Sequence, residues 1–310
     1  MAKYTTLEQI DLSAVADSYD LRDPGLAPLS GGAANSSFRL STASAEFVLT
    51  ILDNHDTMSA RSLAAHTQAL FLLGIPTTEV VPAADGSLIT HCHGRSVILK
   101  TWIEGQVLQP LPFTLLPEAG RILAQLHDLP TQSAGLTDIP VGTRRLSADQ
   151  EALIPELPDR DFAAWLTDRL NLLRRVEATD RRPRTVTHGD LFDDNIIVRT
   201  DGRLTVLDWE TISLDDPLLD LGMAAVGLAQ VDSELAPERV QALVAGYEEI
   251  APLSQKDEAA LPGEIIHAAL IIAFHRYYRH NIRFPDPSKS TYHREMMRFV
   301  ESVDGAGVRG

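Results

Sequence analysis

The stretch "VTHGDLFDDNIIV", residues 186–198, sets His188, Asp190, Asp193, Asp194 and Asn195 between two apolar runs. Like charges this close repel one another, and they are costly to leave unpaired where the flanking chain is buried. The residues that follow suggest why they are there. "TDGR" at 200–203 is a tight turn of the Asp-Gly type, and "LTVLDWE" at 204–210 reads as a returning strand. Such a hairpin is expected to carry Asp208 back toward the loop that holds Asp190 and Asn195.

Three oxygen-bearing side chains at one end of a hairpin suit a hard divalent cation. Mg²⁺ takes one or two carboxylates together with phosphate oxygens and water. Asn195 lies five residues after Asp190, and a second aspartate, Asp208, lies on the next strand. One base and two metal ligands in that order are the phosphoryl-transfer arrangement of protein kinases.

Working outward, "SSFRLSTASAEFVLTIL" (36–52) reads as two strands joined by a small-residue turn. "SARSLAAHTQALFLLGIP" (59–76) has helical spacing closed by Gly74 and Pro76. Residues 77–103 read as further strands around a turn at 84–86. Beyond "EGQ" (104–106), helical patterns dominate, at 114–130, 162–178, 237–250 and 262–282. The expected fold class is α+β and bilobal, with a small sheet-rich lobe over 1–103 and a larger helical lobe over 104–310. A cleft between two such lobes is a usual ligand site.

The chain of 310 residues carries a formal net charge of −16. That acidity gives no footprint for a phosphate backbone, so no nucleic-acid partner is expected. It suits metal cations or a cationic small molecule. "RRPR" at 181–184 reads as a short solvated loop. No apolar run approaches the roughly 20 residues that span a bilayer, so no membrane partner is expected. The opening residues lack a basic-then-apolar leader, and the single cysteine, Cys92, allows no internal disulfide. A cytoplasmic location is expected.

"HGDLFDDN" followed by "LTVLDWE" resembles the aminoglycoside phosphotransferase and choline kinase group of kinase-fold small-molecule kinases. There His-Gly-Asp stands in place of the His-Arg-Asp of protein kinases. "DDPLLDLG" (215–222) fits the same group. Within it the chain is most similar to the kinase-fold homoserine kinases, through "FVLTIL", "LFLLGIP", "GRILAQLH" and "AALIIAFHRYY". The resemblance implies a protein-kinase-like fold, ATP and Mg²⁺ as cofactors, and a small-molecule acceptor bearing a hydroxyl. It makes Asp190 the base that accepts or orients the hydroxyl proton, with His188 bracing the loop. Asn195 and Asp208 become the Mg²⁺ ligands. Asp194 is the candidate contact for a substrate ammonium, Asp193 reads as a solvated loop residue, and Asp220 is expected to anchor the loop backbone.

The chain departs from the kinase pattern on its third strand, where Thr50 occupies the position of the usual lysine. On the next helix Gln68 stands near the position of its glutamate partner. Both charged halves are absent together, so neither is left alone. The phosphate contacts then fall to Mg²⁺ and backbone N–H groups. "LSGGAANSSF" (29–38) is the candidate phosphate loop, with Gly31 and Gly32 for close approach and Asn35, Ser36 and Ser37 as donors. "KTWIEG" (100–105) is the candidate segment against adenine, with Trp102 serving either the core or the nucleobase. The candidate nucleotide contacts are therefore Gly31, Gly32, Ser36, Ser37, Thr50, Trp102 and Ile103. "HCHG" (91–94) has no partner at ligand spacing and reads as a strand end.

For the acceptor, "FHRYYRHNIR" (274–283) sets Arg276, Arg279, His280 and Arg283 three or four residues apart, on one helix face. That face is either solvated or holds a substrate carboxylate, for which arginine is suited. Homoserine, with hydroxyl, ammonium and carboxylate, is the expected acceptor. Choline, an aminoglycoside or a sugar are the alternatives, and Thr50 keeps a nucleotide-binding pseudokinase open as a third.

Overall fold

The computed structural model describes residues 5–29, 35–136, 138–177 and 182–305; Gly31 and Gly32 lie outside them. The chain divides into two compact units. The first comprises Met1–Gln106, Gln132–Asp138 and Ile197–Glu210, the second Val107–Thr131, Ile139–Ile196 and Thr211–Gly310. The segment 197–210 thus belongs to the first unit, whereas a division at 103/104 assigns it to the second part.

In the first unit a helix, α1 (Leu12–Ser18), precedes an antiparallel sheet. Its strands lie in the order β1 (Gly25–Pro28), β2 (Ser36–Ser41), β3 (Glu46–Ile51), β5 (Arg95–Thr101), β4 (Thr90–Cys92). Alternation along each strand separates two faces. On one face Phe38, Leu40, Leu49, Ile51, Val97 and Leu99 form a core with Val15 and Tyr19. The register puts Ser37, Thr50 and Ile98 in one row of the other face, and Arg39, Val48 and Lys100 in the next.

Helix α2 (Thr57–Leu72) starts where the Asp56 carboxylate accepts the Ser59 N–H at 2.8 Å, and its Ala60 and Ala64 pack with Ile98. Gln68 of α2 uses its side-chain oxygen to accept the Val80 N–H at 2.8 Å. The residue near the expected glutamate position therefore serves the backbone beside the sheet. Strand β6 (Gly105–Val107) closes this part of the chain.

The second unit is helical. It contains α3 (Leu116–His127), α4 (Ala148–Leu153), α5 (Arg160–Glu177) and the short strand β7 (Thr185–Thr187). The chain then runs through β8 (Ile196–Arg199) and β9 (Leu204–Val206), which join β6 in a three-stranded sheet. It continues with β10 (Ser213–Asp215), paired antiparallel with β7, and with α6 (Pro217–Leu228), α7 (Pro237–Glu248), α8 (Gln255–Tyr277) and α9 (His293–Gly305). Helix α3 packs on α7, and α8 packs on both α6 and α9. Asp216 caps α6 and Pro217 occupies its first turn; every residue from Leu218 to Leu228 is buried.

Two sequence expectations change here. Residues 255–283 form a helix long and apolar enough to cross a membrane by length and composition, and 56% of its apolar window is buried inside the protein. A search for uninterrupted apolar runs misses it because Glu264 and His267 break the run. "RRPR" is not simply a solvated loop. Arg182 pairs with Asp257 at 2.6 Å, Asp216 at 3.1 Å and Glu264 at 3.5 Å, with its side chain only 12% exposed.

Candidate active site

Strand β7 delivers the chain into the 188–195 loop, and the loop is fixed through its backbone. Asp220, in the first turn of α6, is 3% exposed. Its carboxylate accepts the His188 N–H at 2.8 Å and the Gly189 N–H at 2.7 Å. His127 Nε2 meets the same carboxylate at 3.0 Å, and His127 Nδ1 meets the Tyr247 hydroxyl at 2.8 Å. Burial opposes the charge on Asp220, but His127 and the loop N–H groups prevail and hold it below the usual carboxylate range. Asp220 thus anchors the loop, as the sequence suggests.

Inside the loop, His188 Nδ1 accepts the Asp190 N–H at 3.1 Å, and Asn195 Nδ2 donates to the Asp190 carbonyl at 2.9 Å. The Thr211 hydroxyl donates to the His188 carbonyl at 2.7 Å. Gly189 is left-handed, with φ +78°, and a β-carbon there would stand 3.0 Å from the Thr211 carbonyl oxygen. Glycine is the residue that meets both conditions. Asp194 is exposed, whereas Asp193 is half-buried and accepts the Gln109 side-chain N–H at 3.0 Å. Asp193 is therefore tied down rather than simply solvated.

Sequence reasoning missed the arginine at this loop. Arg144 Nη2 donates to the Asp190 carboxylate at 2.7 Å. Arg144 Nε is buried and has no hydrogen-bond partner among the described residues. His275 of α8 stands close enough to feel its charge. Burial, then Arg144, pushes the His275 imidazole down to about 4. "VGTRRLS" signals only a loop. Its second arginine, Arg145, pairs with Asp215 at 2.8 Å.

The arginines expected to hold a substrate carboxylate are placed differently. The 3.6-residue repeat of α8 ends at Tyr277, and residues 278–283 form a π-helical turn. The regular α-helical spacing assumed for Arg276, Arg279 and Arg283 therefore does not hold past Tyr277. Arg276 donates to Glu295 at 2.9 Å, Arg279 is exposed, and the Arg283 guanidinium lies 5.2 Å from the Phe284 ring centre.

In the first unit β9 ends at Val206, before the "DWE" triplet, so "LTVLDWE" is not strand throughout. Asp208 adopts a left-handed φ of +63°. The buried Trp209 indole donates to the Thr77 hydroxyl at 2.9 Å and holds the bend. A non-glycine residue at positive φ is strained and needs such support. The Glu210 N–H donates to the Asp208 carboxylate at 3.3 Å.

The nucleotide candidates separate by sheet face. Ser36 lies on the core side, where its hydroxyl donates to Asp53 at 2.6 Å and accepts the Thr5 N–H at 2.9 Å. Arg95 closes that cluster by donating to Asp53 at 2.7 Å. Ser36 is thus structural, a correction to its reading as a nucleotide contact. Ser37 and Thr50 share the opposite face, and the buried Thr50 hydroxyl has no hydrogen-bond partner among the described residues. Trp102 gives its backbone N–H to Glu46 at 3.2 Å, and its ring lies under the Arg39 guanidinium at 4.7 Å. That occupies the indole with the protein itself. Ile103 is half-buried beside it.

Among the described residues no group of three or more His, Cys, Asp or Glu side chains could hold a metal ion. The donor set that fits Mg²⁺ is of another kind. Carboxylate and carboxamide oxygens are hard ligands, and Mg²⁺ needs only one or two of them beside phosphate and water. Asn195 meets that need, because its nitrogen is committed to Asp190 and its oxygen remains as the acceptor.

The model of the phosphotransferase enzyme family matches residues 25–254. The chain belongs to that family. Among relatives of this phosphotransferase is a homoserine kinase of Methylobacillus flagellatus, 25% identical over 303 residues, covering 96% of this chain and 93% of the relative. Among solved structures, a microcompartment-associated aminopropanol kinase superposes with a TM-score of 0.76 at 19% identity, covering 96% of this chain and 98% of the other. The amicoumacin kinase hAmiN, in complex with AMP-PNP, Ca²⁺ and Ami, superposes with a TM-score of 0.72 at 14% identity, covering 98% of this chain and 95% of the other. These structures share the protein-kinase-like α+β fold, with its sheet-rich first part and helical second part.

Proposed function

We propose that this phosphotransferase transfers the γ-phosphoryl group of ATP, with Mg²⁺, to the hydroxyl of homoserine. The observation that carries the acceptor is Arg144, bonded to Asp190 at 2.7 Å with a second buried N–H unpaired. A buried donor without a partner costs about 1–3 kcal/mol, so a ligand oxygen that reaches it is favoured. An acceptor whose carboxylate is separated by two carbons from the carbon of its reacting hydroxyl supplies such an oxygen. A polycationic aminoglycoside or a choline would bring a positive charge toward that guanidinium, which disfavours both. The homoserine kinase relative supports the same choice.

In this reading Asp190 takes or orients the proton of the acceptor hydroxyl, and the backbone bonds from Asp220 and His188 keep it in place. Bound Mg²⁺ would neutralise the charge on the phosphates, with Asn195 and Asp208 as its protein ligands. Choline, aminoglycoside and sugar kinase activity are the alternatives of the same fold.

The test compares homoserine with 3-aminopropanol, which lacks only the carboxylate, in an ATP-consumption assay. Homoserine should be preferred by about tenfold to over a hundredfold in kcat/KM. Equal rates on the two acceptors, or activity only on choline, an aminoglycoside or a sugar, would overturn the choice of acceptor.

A further inference from the structure

The kinase reading leaves one gap. Protein kinases place a lysine on the third strand of the sheet against the α- and β-phosphates, and here that position is Thr50. We propose that Lys100, on β5, supplies this cation from the neighbouring strand. The inference rests on the kinase reading above and names a residue for a task that the reading leaves to metal and backbone.

The register makes the substitution possible. In the antiparallel pair β3–β5, Thr50 faces Ile98 and Val48 faces Lys100. Directly opposed residues share a face, so Lys100 projects from the same side of the sheet as Thr50, one diagonal step away. Diagonal neighbours lie about 7–8 Å apart, within reach of a long side chain. A lysine at Lys100 can thus deliver its ammonium beside the space that a lysine at position 50 would fill.

Three further observations point to a ligand there. The Thr50 hydroxyl is 5% exposed and has no hydrogen-bond partner among the described residues. The Asn35 side-chain oxygen is also buried and unpaired among them, while its nitrogen is held by Glu210. Asn35 lies in the candidate phosphate loop, and Thr50 lies opposite Ser37 of that loop on the paired strand. Finally, Lys100 is half-buried and belongs to the same unit as Asp208 and Glu210. The chain has four lysines, Lys3, Lys100, Lys256 and Lys289, and among the described residues Lys100 is the one on a strand.

The experiment measures binding rather than turnover. Calorimetry with ADP and with adenosine, both in Mg²⁺ buffer, is run on the wild type and on Lys100→Met. The variant should lose about tenfold to a hundredfold in ADP affinity, the worth of a charge-assisted hydrogen bond, and lose much less for adenosine. Adding Thr50→Lys to that variant should recover ADP affinity, because the cation returns to the same face. In parallel, the wild type is treated with an amine-acylating reagent and the lysine-bearing peptides are weighed. ADP should protect Lys100 and leave Lys256 and Lys289 labelled, whereas adenosine should protect none. Unchanged ADP affinity in Lys100→Met overturns the inference. If that variant does not fold, ADP that leaves Lys100 fully labelled in the wild type overturns it equally. A wild-type protein that binds no ADP at all would instead overturn the kinase reading beneath it.

Discussion

Arg144 and Asp190 lie 46 residues apart in the chain and share a hydrogen bond of 2.7 Å. A guanidinium against the candidate base makes that carboxylate half of an ion pair before any acceptor arrives. It also leaves the remaining N–H groups of Arg144 as the donors an acceptor would meet. Under the proposed function, this pair would favour molecules with a negative group near the reacting hydroxyl.

Replacing Arg144 by Ala should remove that bias. The loss of kcat/KM on homoserine should exceed the loss on 3-aminopropanol by about tenfold to a hundredfold, since only the first acceptor uses the guanidinium. Parallel losses on the two acceptors would show that Arg144 merely supports the loop.

Asp190→Asn keeps the shape of the loop, because the backbone bonds to His188 and Asn195 do not involve the side chain. ADP binding should stay close to wild type, while turnover should fall by roughly 10²–10⁴, the usual worth of a positioned base. A variant that turns over normally would remove Asp190 from the mechanism.

The half-buried His275 makes stability depend on pH. Its folded-state value is about 4, below the ordinary 6.5, because burial disfavours the imidazolium and Arg144 adds repulsion. Between those values the unfolded chain binds a proton that the folded protein refuses. The contribution of His275 is therefore fully present above about 6.5 and is lost as the pH falls toward 4, to the extent of about 3 kcal/mol. His275→Gln should flatten the fall in urea-unfolding free energy across that window. An unchanged slope would place the proton elsewhere.

How much of this was legible in the sequence depended on whether the signal was local. The hairpin turn at "TDGR", the His-Gly-Asp loop, and the helical runs at 114–130 and 237–250 are short-range patterns, and they appear in the structure, the two runs as helices Leu116–His127 and Pro237–Glu248. The amphipathic spacing of 276–283 was also a local pattern, but it presumed an unbroken α-helix. The π-helical turn ends the regular α-helical spacing after Tyr277, and nothing in the residue types announces it.

The sequence by itself determined the family motifs and the order of strand-rich and helix-rich parts. These rest on spacing along the chain, which fixes turns, strand alternation and helix faces. Only the tertiary structure decided which polar residues meet. It sent Ser36 to Asp53 and left Thr50 without a described partner, because neighbouring residues of one strand point to opposite faces. It set Lys100 diagonally across from Thr50 through the β3–β5 register, and it brought Arg144 from an irregular loop to Asp190. Strand register and loop path are settled by packing between distant segments, and such packing leaves no periodic mark on the sequence.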